Sequence, residues 1–192
     1  GMRLVVDESF VDFADERDGS ILSDAVLEAH PHLVVVKSIS KSHGVPGIRL
    51  GVLAGADRKL IDFIKKDVAI WNINSFGQFY LQIAGKYRKD YAAALARYRE
   101  ERRRFIARLA EVPYLRVLPT QANYVMCELT GISSVRLAAD LLVKYRVFIK
   151  DLTPKIGDGR QYVRLAVRDT RDNDRLLSFL KQFSSPGSKP NA

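Results

Sequence analysis

The stretch from Val34 to Gly55, VVVKSISKSHGVPGIRLGVLAG, constrains the fold more than any other part of the chain. Leu33 to Val36 is an apolar run of strand length, and Leu50 to Ala54 reads as a second buried strand. Between them lie a polar turn, Ser38-Ile39-Ser40-Lys41-Ser42, and then Gly44, Pro46 and Gly47, the residues of a tight, shaped loop. Arg49 follows Lys41 by eight residues. A strand that delivers a lysine and hydroxyls to its end, with an arginine returning to the same place, suits an anionic carbonyl compound. A lysine amine condenses with carbonyls when its pKa is lowered by low dielectric or nearby cations. Hydroxyls and a guanidinium are what a phosphate requires.

Upstream, Leu4-Val5-Val6 is a short apolar strand ending in Asp7-Glu8-Ser9-Phe10. A carboxylate at a strand end is a common placement for a catalytic group in an open α/β sheet; it is also how a strand-terminating aspartate caps a turn. Ser23 reads as the N-cap of a short helix before residue 29, and Asp57 to Val68 as an amphipathic helix with Leu60, Ile61 and Ile64 inward. The pattern from Phe76 to Ala110 is helical but too long for one core, so it is expected to break near Gly85-Lys86. Beyond Pro113 the predicted strands are Leu115–Leu118, Asn123–Leu129, Val147–Ile149 and Tyr162–Val167. They alternate with helices from Ser133 or Ser134 to Tyr145 and from Asn173 to Phe183. Residues 184–192, SSPGSKPNA, read as a disordered tail. The fold class expected is α/β, with a small α+β lobe at the C-terminus.

The net charge of +9 invites a nucleic-acid reading, but much of it is Arg97, Arg99, Arg102, Arg103, Arg104 and Arg108 among Glu100, Glu101 and Glu111. Such spacing reads as a solvated helix face, without the aromatic interleaving of an RNA platform. No nucleic-acid partner is expected. No apolar run reaches the ~20 residues of a membrane span, so no membrane partner is expected either. The lone Cys127 suits a reducing, cytoplasmic setting and reads as a buried, inert thiol. His30, His32 and His43 have no metal-ligand spacing, and no metal is expected.

S-x-S-K-(x)7-R with GIRLG around the arginine resembles the Schiff-base signature of fold-type-I pyridoxal-phosphate enzymes. It is most similar to the aminotransferase group that includes histidinol-phosphate aminotransferase and threonine-phosphate decarboxylase. VVDESFVDF resembles that group's D-E-[AS]-[YF] segment, QANYV its substrate-side strand, and YVRLAVR its R-I-[ST]-V strand. The resemblance implies Lys41 as the catalytic lysine and pyridoxal 5'-phosphate as cofactor. It places Asp7 on the pyridinium nitrogen, Phe10 near the phenolic oxygen, and Ser38, Ser40 and Arg49 on the phosphate. Asn123 would line the substrate and Arg164 would grip its anion. Phe10 departs from the more usual tyrosine and cannot donate a hydrogen bond.

Within this resemblance the chain corresponds to a C-terminal half. Residues 2–85 would be a remnant of the cofactor-binding large domain, a sheet edge with helices, and residues 86–183 the small domain with its linking helix. The activity implied is transamination between an amino donor and a 2-oxo acid acceptor. Decarboxylation of a phosphorylated amino acid is the alternative, and a non-catalytic module of a split or fused protein a third reading. A homodimer or other homo-oligomer is expected, and the isolated chain is expected to lack turnover.

Overall fold

The computed structural model describes residues 2–15 and 19–183. The chain divides into two compact units, residues 1–96 and 97–192.

In the first unit a three-stranded sheet has the order β1-β2-β3, where β1 is Leu4–Asp7, β2 Leu33–Ser38 and β3 Gly51–Gly55. β1 runs parallel to β2, with Asp7 opposite Val36. β3 returns antiparallel, with Ser38 opposite Gly51. The parallel pair needs a crossover, and Ser23 caps the short helix α1 (Asp24–Ala29) within it, accepting a hydrogen bond from the Val26 amide. The antiparallel pair needs only a loop, so residues 39–50 must leave and return at the same end of the sheet. That geometry turns the Lys41 segment into a site. The turn itself is a single helical turn, α2 (Ile39–Ser42). Leu27, Leu33 and Val35 form the buried core, flanked by half-buried Val6, Ile21 and Ala54.

Helix α3 (Arg58–Lys66) is capped by Asp57, whose carboxylate accepts from the Leu60 amide at 3.1 Å. Helix α4 (Ser75–Ala84) follows, then a 3₁₀ turn at Gly85–Tyr87 and helix α5 (Arg88–Leu109). The long helical pattern therefore does break at Gly85-Lys86. The division into compact units falls after Ala96, inside α5. The reason is packing. Tyr91 still hydrogen-bonds to Asp12 in the first unit, whereas Phe105 and Leu109 belong to the core of the second.

The second unit holds a four-stranded antiparallel sheet of order β4-β5-β7-β6. Its strands are β4 (Leu115–Val117), β5 (Tyr124–Leu129), β6 (Lys150–Asp151) and β7 (Gln161–Ala166), with helices α6 (Ser134–Tyr145), α7 (Thr153–Ile156) and α8 (Thr170–Gln182) between and after them. Strand alternation sends Val125, Cys127 and Leu129 inward. They meet Phe105, Leu137, Leu141, Leu165, Leu177 and Leu180 in one continuous cluster. Burial pushes the Cys127 thiol up to about 12, which makes it unreactive at neutral pH.

Three expectations need correction here. Val147–Ile149 is not a strand: Arg146 turns into the left-handed region (φ 57°), Val147 donates back to Leu141, and pairing with β7 begins only at Lys150. The short helix α7 has no counterpart among the expected elements, which run from Val147–Ile149 directly to Tyr162–Val167. The basic stripe of α5 is not wholly solvated. Arg102 is 1% exposed and donates to the Gln121 carbonyl at 2.8 Å. Arg104 chelates Glu101 at i−3 and reaches Asp174 at 2.8 Å. The expected tail, 184–192, lies outside the described residues. Among the described residues, no helix is long and apolar enough to cross a membrane.

Candidate active site

The segment after β1 sets the site. Glu8 is buried and accepts from the Ser20 hydroxyl and the Ile21 amide, both at 2.6 Å, which pins the crossover. Ser9 is buried beside it, and its hydroxyl accepts from the Ser38 amide at 3.1 Å, tying the end of β1 to the end of β2. Between these anchors the Asp7 carboxylate remains exposed and accepts from the Ser9 amide at 2.8 Å. Hydrogen bonds from the Ser9 side chain and amide hold Asp7 below the usual carboxylate range, and the charge of Lys41 adds to them.

Lys41 projects from α2, exposed, with its Nζ 5.0 Å from the centroid of the Phe10 ring. That is cation–π distance, so the phenylalanine that replaces the usual tyrosine becomes the neighbour of the amine. Ser38 precedes α2, and its side chain makes no capping bond. Ser40 differs from it. It is 2% exposed, donates to the Leu50 carbonyl at 3.1 Å and accepts from the Leu50 amide at 2.8 Å. Its hydroxyl is engaged by the returning loop, and in this geometry it staples α2 to β3. Arg49 is exposed and sits in the left-handed region, φ 53°, with Nη1 donating to the Pro46 carbonyl at 3.3 Å. A non-glycine residue there stores about 1–2 kcal/mol of strain. The next residue back is tethered: Asn74 donates to the Ile48 carbonyl at 3.0 Å while accepting from the Gly77 amide at 2.9 Å as N-cap of α4. Gly77 leaves room for the buried Leu50 side chain, from which a Cβ there would lie 3.1 Å.

Six of the eight residues expected from sequence thus gather at the ends of β1 and β2: Asp7, Phe10, Ser38, Ser40, Lys41 and Arg49. Asn123 and Arg164 belong to the second unit. There the Asn123 carbonyl accepts from the Val167 amide at 3.1 Å, and the exposed Arg164 guanidinium lies 4.2 Å from the centroid of Tyr124. An aromatic face therefore supports the strand arginine.

Sequence reasoning missed a second cluster beside Lys41. Asp12, in the 3₁₀ turn Val11–Phe13, accepts from Lys37 Nζ at 2.6 Å and from the Tyr91 hydroxyl at 3.0 Å. The His43 ring stacks on Tyr91 (4.1 Å between centroids, 20° between planes), and its Nδ1 shares a hydrogen bond with the Tyr80 hydroxyl at 2.6 Å. Lys37 and Asp12 lie in motifs already noted. Tyr80 and Tyr91 come from two later helices, and no spacing connects them.

The first set suits a ligand with an aldehyde, a basic ring nitrogen and a phosphate. Asp7 is held ionised where a cationic ring nitrogen could pair with it, Lys41 presents an accessible amine, and Ser38 and Arg49 can donate to a phosphate.

Comparison with known proteins agrees with that chemistry. The family model for aminotransferase class I and II matches residues 1–180. A CMP-5'-(3-aminopropyl)phosphonate synthase of Streptomyces rubellomurinus is 37% identical over 182 residues, 94% of this chain and 29% of that protein. An L-serine phosphate decarboxylase of Sulfurospirillum multivorans is 34% identical over 186 residues, 94% of this chain and 47% of that protein. The crystal structure of a histidinol-phosphate aminotransferase from Clostridium acetobutylicum superposes with a TM-score of 0.84 at 28% identity, covering 94% of this chain and 53% of that one. The chain spans about half, or less, of the length of each. With its motifs, its sheet and its family match in accord, this chain belongs to the aminotransferase class I and II family of fold-type-I, pyridoxal-phosphate-dependent enzymes.

Proposed function

We propose that the protein containing this chain is a pyridoxal-phosphate enzyme that decarboxylates a phosphorylated amino acid, with Lys41 as its catalytic lysine. The observation that carries the reading is the placement of the Lys41 amine over Phe10 and within the field of an ionised Asp7. The cofactor, when bound, supplies an aldehyde for amines and a ring that accepts the electron pair released at the substrate's α-carbon. Asp7 would pair with the ring nitrogen and so keep the ring electron-poor. Ser38 and Arg49 hold the phosphate, with Ser40 bracing the turn beneath them. Lys41 would anchor the cofactor through its Nζ and, as a free amine, would carry a proton within reach of the substrate's α-carbon. Asn123 and Arg164 are assigned to the substrate, Arg164 to its anion.

The decarboxylase relative at 34% identity and the aromatic neighbour of Lys41 support carbon dioxide loss. An apolar ring favours departure of a carboxylate as neutral carbon dioxide over retention of its charge. Transamination, the reaction expected from sequence, is the second reading, and the likeness to the Clostridium acetobutylicum enzyme favours it. In that case Lys41 removes the α-proton and a 2-oxo acid receives the amine. Assays on the full-length natural protein separate the two. Phosphoserine and phosphothreonine should release carbon dioxide, and histidinol phosphate should transfer little nitrogen to 2-oxoglutarate. The reverse result overturns the decarboxylase reading. Full stoichiometric covalent retention of the cofactor after borohydride reduction in Lys41→Ala overturns both. A homodimer is the assembly proposed. The exposed Trp71, Phe76 and Phe79 offer apolar surface for self-association, which light scattering would detect.

A further inference from the structure

Two amines lie four residues apart in this segment, Lys37 near the end of β2 and Lys41 on α2. Only one can serve as the anchor for an aldehyde, and the surroundings treat them differently. Lys37 is partly buried, and Asp12 accepts from it at 2.6 Å with both side chains largely covered. Lys41 is exposed, and its neighbour is an aromatic face. One 3₁₀ turn provides for both: Phe10 leads into it and Asp12 sits within it.

The same carboxylate reaches the turn that carries Lys41. Asp12 accepts from the Tyr91 hydroxyl at 3.0 Å, Tyr91 stacks on His43, and His43 shares a hydrogen bond with Tyr80 at 2.6 Å. His43 is the C-cap of α2, where its amide donates to the Ile39 carbonyl. A four-residue helix has no stability of its own, so its geometry is whatever its ends impose. At the front Ser40 fastens it to Leu50; at the back the histidine does so through two tyrosines from α4 and α5.

We propose that Asp12, Lys37, Tyr91, His43 and Tyr80 form a positioning device. It fixes the turn that presents Lys41, and it withholds the Lys37 amine from carbonyl chemistry. The proposal rests on the reading of Lys41 as the carbonyl-condensing lysine. None of the five touches the reacting atoms; they act through α2 and through competition between amines. Burial holds the His43 pKa below its ordinary value, with Asp12 opposing that shift.

The test is covalent labelling of the 192-residue chain with pyridoxal 5'-phosphate and borohydride. The amine nitrogen bonds to the aldehyde carbon, water carries off the aldehyde oxygen, and hydride from the borohydride reduces the resulting C=N bond. Peptide mapping by mass spectrometry then gives the label at each lysine. Wild type should label Lys41 at least tenfold faster than Lys37. Asp12→Asn should raise labelling at Lys37 roughly tenfold. His43→Ala should slow labelling at Lys41 by a similar factor, and His43→Phe, which keeps the stack, should recover part of that loss. Tyr91→Phe removes one hydroxyl and keeps the ring, so it guards against misfolding; it should release Lys37 about threefold. Thermal melts of every variant accompany the labelling, and loosening alone would speed all lysines together without changing their ratio. Absence of preference for Lys41 in wild type would overturn the catalytic-lysine reading itself. Preference for Lys41 with an unchanged Lys37:Lys41 ratio in folded Asp12→Asn and Tyr91→Phe would overturn the positioning device alone.

Discussion

The two units are stabilised by different means. The second is organised around a continuous apolar cluster drawn from α5, α6, α8 and the inward faces of β5 and β7. The first buries Phe13, Leu27, Leu33, Val34, Val35 and Leu50 and leaves Leu4, Val5, Ile70, Trp71, Phe76 and Phe79 exposed. Its order comes from polar clamps: Glu8 on the crossover, Ser9 between strand ends, Ser40 on Leu50, Asn74 on Ile48, Asp12 on Lys37 and Tyr91. Apolar burial is non-directional and gives stability roughly in proportion to area. Hydrogen bonds add little net stability each but fix angles and distances. The unit carrying the candidate active site is therefore the precise one, and the other is the robust one.

The contrast is broken most strongly by deleting core volume. Phe105→Ala should cost about 3–5 kcal/mol in urea unfolding of the second unit, whereas Trp71→Ser, at 89% exposed, should change stability by less than about 0.5 kcal/mol while reducing self-association. A similar loss from both would show that the first unit has packing of the same kind as the second.

The second unit also has polar clamps, Arg102 on Gln121 among them, and the one at Glu101 gives the next largest effect. Glu101 accepts from Arg104, Thr170 and Asn173, and these bonds, Arg104 first, hold its carboxyl down at about 2. Because the folded value is depressed, the stabilisation is complete above the ordinary glutamate range and is lost as pH falls from there toward 2. Glu101→Gln should cost roughly 1.5–3 kcal/mol at pH 7, with the difference from wild type shrinking in acid. A constant difference down to pH 3 would exclude the charge as its source.

In the first unit the pH response should appear nearer neutrality. Burial lowers the His43 pKa, with Asp12 opposing that shift and Lys37 reinforcing it. The unfolded chain then binds a proton in a range where the folded chain does not, so stability present above about pH 6.5 is lost as pH falls through the folded value. Asp12, itself held below the usual carboxylate range, follows only at lower pH. Tyr91, pushed up to about 12, and Tyr80, also raised, stay protonated throughout. His43→Phe should flatten the unfolding midpoint between pH 8 and 5. An unchanged slope would remove His43 as the titrating group.

The smallest effect concerns Arg49. Arg49→Gly should relieve left-handed strain and raise stability by up to about 1 kcal/mol, while weakening pyridoxal-phosphate retention roughly tenfold in equilibrium dialysis. Unaltered retention would remove Arg49 from the phosphate site.

Much of this was legible because it is local. Apolar runs of strand length located β1, β2 and β3, Ser23 announced the cap of α1, and the starts of α3 and α6 were placed at Asp57 and at Ser133 or Ser134. Gly85 marked the break between α4 and α5. The polar turn after β2 and the arginine returning before β3 could be read from the run itself, whereas Asp7 and Phe10 were drawn to the same strand ends by the family resemblance. What sequence could not supply were partners distant along the chain. The pattern of α5 looks solvated, yet Arg102 is buried because the carbonyls of Gln121 and Ala122 meet it there. Ser38 and Ser40 are alike in the motif, yet one hydroxyl is free of the helix cap and the other is bound to Leu50. Asp12, Lys37, His43, Tyr80 and Tyr91 come from five elements and converge only when these pack. Periodicity and turn chemistry act over a few residues and are written in order along the chain. The commitment of a buried donor depends on which acceptor folding brings within 3 Å, and that was decided by tertiary structure alone.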